Sequence, residues 1–262
     1  MKPGANTVGN EAGGNLHLIR GSRFSVAILL ALVCFVGDLA SAQLAVPTNY
    51  LSSVVAALEK PWPANRTVNI VCHGHSVPAG YFKTPTVDTF NAYPHLLHRA
   101  LKERFPHTVL NVIVTAIGGE GSVRGAKRFE QDVLSHKPEV VCIDYALNDR
   151  GLGLAPARAA WTAMIQQAQA AGVKVILLTP TADMAAKLDD PNDPLNQHAE
   201  QIRQLAAEFH TGLVDSLALF KAEITRGTAL GDLMSQGNHP NARGHALVTE
   251  ALRDWFPTNA GR

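Results

Sequence analysis

The chain has 262 residues, 46% of them apolar, 17% charged and 6% aromatic, and its 23 Lys and Arg against 22 Asp and Glu leave a net charge of +1. This is the composition of a globular protein with enough chain to bury a core, not of a disordered or collagen-like one. The near balance of charge argues against the broad electrostatic footprint of a nucleic-acid or anionic-membrane binder.

The N-terminus carries Lys2, Arg20 and Arg23, then an apolar run over 24–36, a break at Gly37 and Asp38, and Ala40-Ser41-Ala42 ahead of Gln43. A basic segment, a short apolar run and a small-x-small site together describe a secretory leader over 1–42. The apolar run falls short of the ~20 residues that cross a bilayer. The expectation is a cleaved signal peptide, an exported (secreted or periplasmic) product without a stable membrane anchor, and one mature domain over 43–262. Removing 1–42 takes away three basic and two acidic residues, which leaves 20 of each sign. Cys72 and Cys142 remain, both inside apolar runs, and are expected to be buried free thiols.

Residues 43–66 read as a lead-in, stiffened at Pro61, Trp62 and Pro63. Short β-branched runs then predict strands over 68–72, 109–117, 140–145, 173–178 and 212–214. Helix-period stretches lie between and after them, over 87–105, 125–135, 156–171 and 197–209, with a last helix over 242–255 capped by Asn241. Continuous rather than alternating apolar runs indicate strands covered on both faces. The predicted fold class is therefore α/β, a three-layer α/β/α sandwich around a parallel sheet of about five strands. The acidic stretch over 189–194 lacks the glycine and distal glutamate of an EF-hand loop and reads as a solvated, proline-stiffened turn.

In open parallel sheets, ligands bind where loops leave the carboxyl ends of the strands. Four such loops carry reactive or donor groups. After the first strand comes His73-Gly74-His75-Ser76, with a serine on a tight turn. After the second comes Ala116-Ile117-Gly118-Gly119-Glu120-Gly121, whose glycines allow close backbone approach. After the third comes Ala146-Leu147-Asn148-Asp149, which offers a side-chain amide. Ahead of the last helix, Gln236-Gly237-Asn238-His239-Pro240-Asn241 places a histidine.

In that order the four blocks resemble those of the SGNH hydrolases, or GDSL-type esterases: Gly-Asp-Ser, Asn-x-Gly-x-x-Gly, Gly-x-Asn-Asp and Asp-x-x-His-Pro-Asn. The resemblance spans residues 68 to 255 and implies the flavodoxin-like SGNH fold. It also implies an esterase in which Ser76 is the nucleophile and His239 its base. The Ser76 and Gly118 backbone N–H groups and the Asn148 side chain would then form the oxyanion hole. The implied partner is a small-molecule or carbohydrate acyl ester with a short or acetyl acyl group, and no cofactor or metal is required. The loop over 77–88, with Tyr81 and Phe82, would line the acyl or alcohol pocket.

The sequence departs from the family pattern at several points. Gln236 stands where the family has the triad acid, so the expectation is a Ser–His dyad whose ring is oriented by Gln236 or a backbone carbonyl. Asp232 and Asp215 are the nearest alternative acids. His75 and Ala116 replace an aspartate and an asparagine. Asp144 is a carboxylate in a predicted buried strand and needs a partner, for which His73, His75, Tyr145 and Arg150 are candidates. Two further readings stay open. One is a metal-dependent hydrolase built on His73, His75 and Asp144, and the other a degenerate module that binds acylated glycan without turnover. The glycine spacing over 119–125 resembles a dinucleotide loop only faintly, because it does not follow the first strand.

Overall fold

A computed structural model of the protein describes residues 45–258. The leader expected over 1–42 lies outside the described residues. The five expected strands all form: β1 Thr67–Gly74, β2 Val109–Val114, β3 Val140–Asp144, β4 Lys174–Leu178 and β5 Gly212–Val214. They make one sheet in the order β2-β1-β3-β4-β5, and every neighbouring pair runs parallel. In this order the chain winds outward from β1 in both directions, so the crevice between the carboxyl ends of β1 and β3 is where a ligand is expected.

The helices lie on both faces. They are α1 Pro47–Tyr50, α2 Ser52–Leu58, α3 Ser76–Ala79, α4 Tyr93–Arg104, α5 Ser122–Lys127, α6 Phe129–Asp132, α7 Ala146–Asp149, α8 Leu154–Ala170, α9 Pro194–Glu208, α10 Ser216–Thr225 and α11 Ala242–Arg253. Successive strand residues feed opposite cores. Ile70, Cys72, Val140, Cys142, Ile176 and Leu178 pack with Leu97 and Leu101 of α4 and Val248 and Leu252 of α11. Val71, Val141, Ile143, Val175 and Leu177 pack with Trp161 and Met164 of α8 and Ile202 and Leu205 of α9. Each such fully buried aliphatic side chain contributes roughly 1.5–3 kcal/mol, which explains why strands buried on both faces show no alternation in the sequence. Cys72 and Cys142 are register partners across β1 and β3, both buried and free.

Several boundaries differ from expectation for local reasons. The helix expected from 87 begins at Tyr93, where Pro94 occupies the first turn and needs no amide partner. The stretch over 125–135 breaks at Arg128, whose guanidinium reaches back to Glu120. The lead-in contains α1 and α2. The sequence reading missed α10, whose first turn is capped by Asp215 Oδ1 accepting the Ala218 N–H at 3.1 Å. A two-stranded antiparallel hairpin, β6 Met234–Gln236 and β7 His239–Pro240, stands apart from the main sheet. In the acidic loop, Asp193 caps α9 by accepting the Leu195 N–H and also accepts the Lys187 N–H. Asp190 Oδ1 takes the Asn192 N–H.

Candidate active site

The sheet's hydrogen bonds continue past the strand ends and tie three loops together. The Ile117 N–H donates to Gly74 O at 3.0 Å on one side of β1, and the His75 N–H donates to Asp144 O at 3.1 Å on the other. Such proximity needs glycine at 74, since a Cβ there would lie 2.3 Å from Asp144 O. The chain then turns into α3, with Ser76 at its first residue. His75 caps the helix, its Nδ1 accepting the Val77 N–H at 3.2 Å.

Ser76 Oγ lies 2.9 Å from His239 Nε2. The histidine is held on β7, where the Ser235 hydroxyl is within hydrogen-bonding distance of the His239 and Pro240 carbonyls. Asn241 Oδ1 caps α11 immediately after it by accepting the Arg243 and Gly244 N–H groups. On the far side of the ring, His239 Nδ1 lies 2.9 Å from Phe82 O and 2.9 Å from Gln236 Nε2. Phe82 O can only accept, and the Thr84 N–H, which meets Gln236 Oε1 at 2.9 Å, can only donate. Together they assign the proton to Nδ1, leave the Nε2 lone pair on Ser76, and make Gln236 Nε2 a packed neighbour of the ring rather than its partner. Of the two orienters expected, Gln236 or a backbone carbonyl, it is the Phe82 carbonyl that faces Nδ1, and the Gln236 amide oxygen takes the Thr84 N–H instead.

Neither alternative acid reaches the ring. The Asp215 carboxylate meets Arg203 Nε at 2.7 Å and the Thr179 hydroxyl at 2.9 Å. Asp232 makes no hydrogen bond or ion pair with His239 among the described residues. Burial lowers the His239 pKa below its ordinary value; the Phe82 carbonyl opposes this and proximity to His75 adds to it.

Gly118 lies in the loop after β2, and Asn148 lies in α7, which follows β3. A Cβ on Gly118 would meet Tyr81 Cζ at 2.7 Å, so the tyrosine ring lies directly against this backbone. The same ring sits 6.0 Å from that of His239. Asn148 Nδ2 donates one hydrogen to Glu120 O at 2.9 Å and keeps a second. Among the described residues the Ser76 and Gly118 N–H groups have no acceptor. Asn148 also borders a cleft of about 450 Å³ lined in part by Leu147, Arg150, Ala185 and Asp193. The Phe82 ring stacks on His245 at 5.2 Å. The contribution of Phe82 to the site is its carbonyl.

The structure separates His73 from the other two residues of the metal reading. His73 falls on the α8 face, with Nδ1 2.8 Å from Thr115 Oγ1 and Nε2 3.1 Å from the Tyr145 hydroxyl. Asp144, one residue earlier than Tyr145, falls on the α4 face with His75 Nε2 at 3.2 Å. Among the described residues no three His, Cys, Asp or Glu side chains are grouped to hold a metal ion.

The partners of Asp144 also differ from most of those named. Tyr145 donates to the buried Glu120, which pairs with Arg128, and Arg150 pairs with Asp183 at 2.7 Å. Asp144 Oδ2 instead accepts from the Tyr93 hydroxyl at 3.3 Å. Sequence reasoning missed Tyr93, Glu120 and Asp149. The last of these is fully buried and holds the Ser122 N–H and the Trp161 indole N–H, each at 2.7 Å. Nothing in the local sequence marks Tyr93 or Glu120 for these contacts, and Asp149 is marked only by its place next to Asn148 in the third block.

A family model described as the GDSL-like lipase/acylhydrolase family matches residues 72–247. An acetylxylan esterase of Geobacillus stearothermophilus is 24% identical over 165 residues, 58% of this chain and 74% of that enzyme. The solved structure of Axe2, an acetylxylan esterase from the same organism, superposes with a TM-score of 0.64 at 20% identity, covering 74% of this chain and 97% of that one. Variants of Axe2 described as catalytic mutants replace a serine, a histidine, and an aspartate three residues before that histidine. A two-domain esterase active on acetylated mannans gives a TM-score of 0.64 at 20% identity, covering 79% of this chain and 52% of that one. With the family match running from the end of β1 into α11, this chain belongs to the GDSL-like lipase/acylhydrolase family of SGNH hydrolases and is a serine-type hydrolase of carboxylic esters.

Proposed function

We propose that the protein removes acetyl or other short acyl groups from carbohydrate hydroxyls, with Ser76 as nucleophile and His239 as base. The observation that carries this reading is the 2.9 Å contact between Ser76 Oγ and His239 Nε2, with Nδ1 facing the Phe82 carbonyl. Ser76 Oγ attacks the acyl carbon as its proton passes to Nε2. The carbonyl oxygen becomes an oxyanion received by the Ser76 and Gly118 N–H groups and the spare Asn148 hydrogen. His239 then returns the proton to the departing sugar oxygen, and water repeats the sequence to free the acid. Phe82 O holds the tautomer without supplying charge, so the imidazolium is stabilised by a dipole alone.

Carbohydrate is favoured as the alcohol half because the similar acetylxylan and acetylated-mannan esterases act on such esters, and the open cleft beside Asn148 suits a polar ring better than a long acyl chain. Export by a leader over 1–42, with 43–262 as the working domain, belongs to the same reading. N-terminal sequencing of the protein recovered outside the cytoplasm is expected to begin at Gln43.

The purified protein is expected to hydrolyse 4-nitrophenyl acetate faster than long-chain esters and to release acetate from acetylated xylan. Ser76→Ala should lower kcat on the order of 10⁴–10⁶-fold and abolish labelling by a fluorophosphonate. Absence of both turnover and labelling in the unsubstituted protein would instead identify a module that only binds acylated glycan.

A further inference from the structure

Gln236 leaves His239 without a carboxylate, yet a different histidine–carboxylate pair touches the nucleophile. Asp144 is 2% exposed and His75 1%. Asp144 Oδ2 accepts from the Tyr93 hydroxyl at 3.3 Å, and Oδ1 lies 3.2 Å from His75 Nε2, without the alignment of a good hydrogen bond. At the other end of the ring, His75 Nδ1 accepts the Val77 N–H at 3.2 Å and lies 3.4 Å from Ser76 Oγ. An amide N–H can only donate, so Nδ1 carries the lone pair and Nε2 the proton, which faces the carboxylate. The Ser76 hydroxyl is thereby flanked by two imidazole lone pairs, His239 Nε2 at 2.9 Å and His75 Nδ1 at 3.4 Å.

We propose that Asp144 and His75 form a positioning pair for the nucleophile: the carboxylate fixes the His75 ring and tautomer, and the ring, packed against Ser76 Oγ while its Nδ1 accepts the Val77 N–H, holds the serine and its turn in line with His239. The proposal rests on Ser76 being the nucleophile. Helix capping alone does not explain the arrangement, because Asn or Ser caps a first turn with no need of a buried carboxylate behind it. A lone buried carboxylate is costly, and the position beside His75 and Tyr93 gives it compensating partners. The pair differs from a second catalytic base in that His239 has the shorter contact to Oγ and the better access to a leaving group, since His75 is enclosed on all sides.

His75→Asn separates the two roles, because the asparagine oxygen can still accept the Val77 N–H but has no ring to link Asp144 with Ser76. With 4-nitrophenyl acetate, kcat is expected to fall about 10–100-fold while KM stays within about 2-fold. The rate of fluorophosphonate labelling should fall in parallel. Asp144→Asn should lower kcat in the same direction, and the double variant should be no slower than His75→Asn, as expected of residues that act as a unit. Wild-type kcat in His75→Asn, or multiplicative losses in the double variant, would overturn the proposal.

Nitrogen-15 NMR of the histidine-labelled wild-type protein provides a second test independent of how the variants fold. His75 is expected as the Nε2–H tautomer, and an Nδ1–H tautomer would overturn the pair. If the unsubstituted protein neither turns over nor labels, the hydrolase reading itself fails. If it does both and the variants match it, only the pair fails.

Discussion

His73 and His75 stand two residues apart, one at the end of β1 and the other just past it, and both are buried, but they share no partner. His73 belongs to a network on the α8 face with Thr115, Tyr145 and, through the tyrosine, Glu120 and Arg128. Burial, with the Arg128 charge adding to it, brings the His73 pKa down to about 4. His75 faces Asp144 and Ser76. A strand sends successive side chains to opposite faces, and the turn after Gly74 is what moves His75 out of that alternation and against Ser76. Residue type therefore says little about the role of a histidine here; its face and the charge opposite it decide.

The contrast is open to direct attack. After Ser76→Ala, the largest effect is expected at Asn148: its amide holds Glu120 O, and in the proposed mechanism its second hydrogen goes to the oxyanion. Asn148→Ala should cost on the order of 10²–10³ in kcat with little change in KM, measured on an aryl acetate. A loss confined to KM would remove it from the oxyanion hole.

On the His73 side, Glu120→Gln should leave Arg128 without its buried partner and destabilise the fold by about 3 kcal/mol in urea titration. Its kcat should stay within about 3-fold at a temperature where the variant is folded. A deep loss of turnover there would erase the division between a structural and a positioning histidine.

The smallest expected effect concerns pH. A His239 pKa lowered by burial keeps Nε2 unprotonated below the usual 6.5, so the acid limb of kcat/KM should lie below that value. Gln236→Glu adds a negative charge beside Nδ1, which favours the imidazolium, and should move the limb upward while changing kcat by less than about 10-fold. An unmoved limb would mean that position 236 does not act on the ring electrostatically.

The inner strands were legible because they carry continuous β-branched runs such as Val140-Val141-Cys142-Ile143, a pattern that double-sided burial imposes, whereas the edge strand β2 alternates exposed Val109 and Asn111 with buried Leu110 and Val112. α10 was not, since only Ser216, Leu217 and Phe220 of its ten residues are buried and its apolar residues do not mark one face. Ser76, Gly118, Asn148 and His239 could be named because each lies in a short block at a strand or helix end, where local sequence sets local shape. The groups that brace this cluster could not. Tyr93 lies 51 residues before Asp144, and only the packing of α4 on the sheet brings its hydroxyl there. Phe82 lies 157 residues before His239 and contributes a carbonyl, a group that every residue carries.

That carbonyl has an evolutionary consequence. A carboxylate orienter is lost by one codon change, whereas a main-chain oxygen survives any substitution that preserves the path of its loop. What selection can act on is the loop itself, pinned to the hairpin by the Thr84 N–H on Gln236 and bent back by the Tyr81–Val87 bridge. Variation that tunes the base is therefore expected to accumulate in the segment over 81–87 rather than beside the histidine.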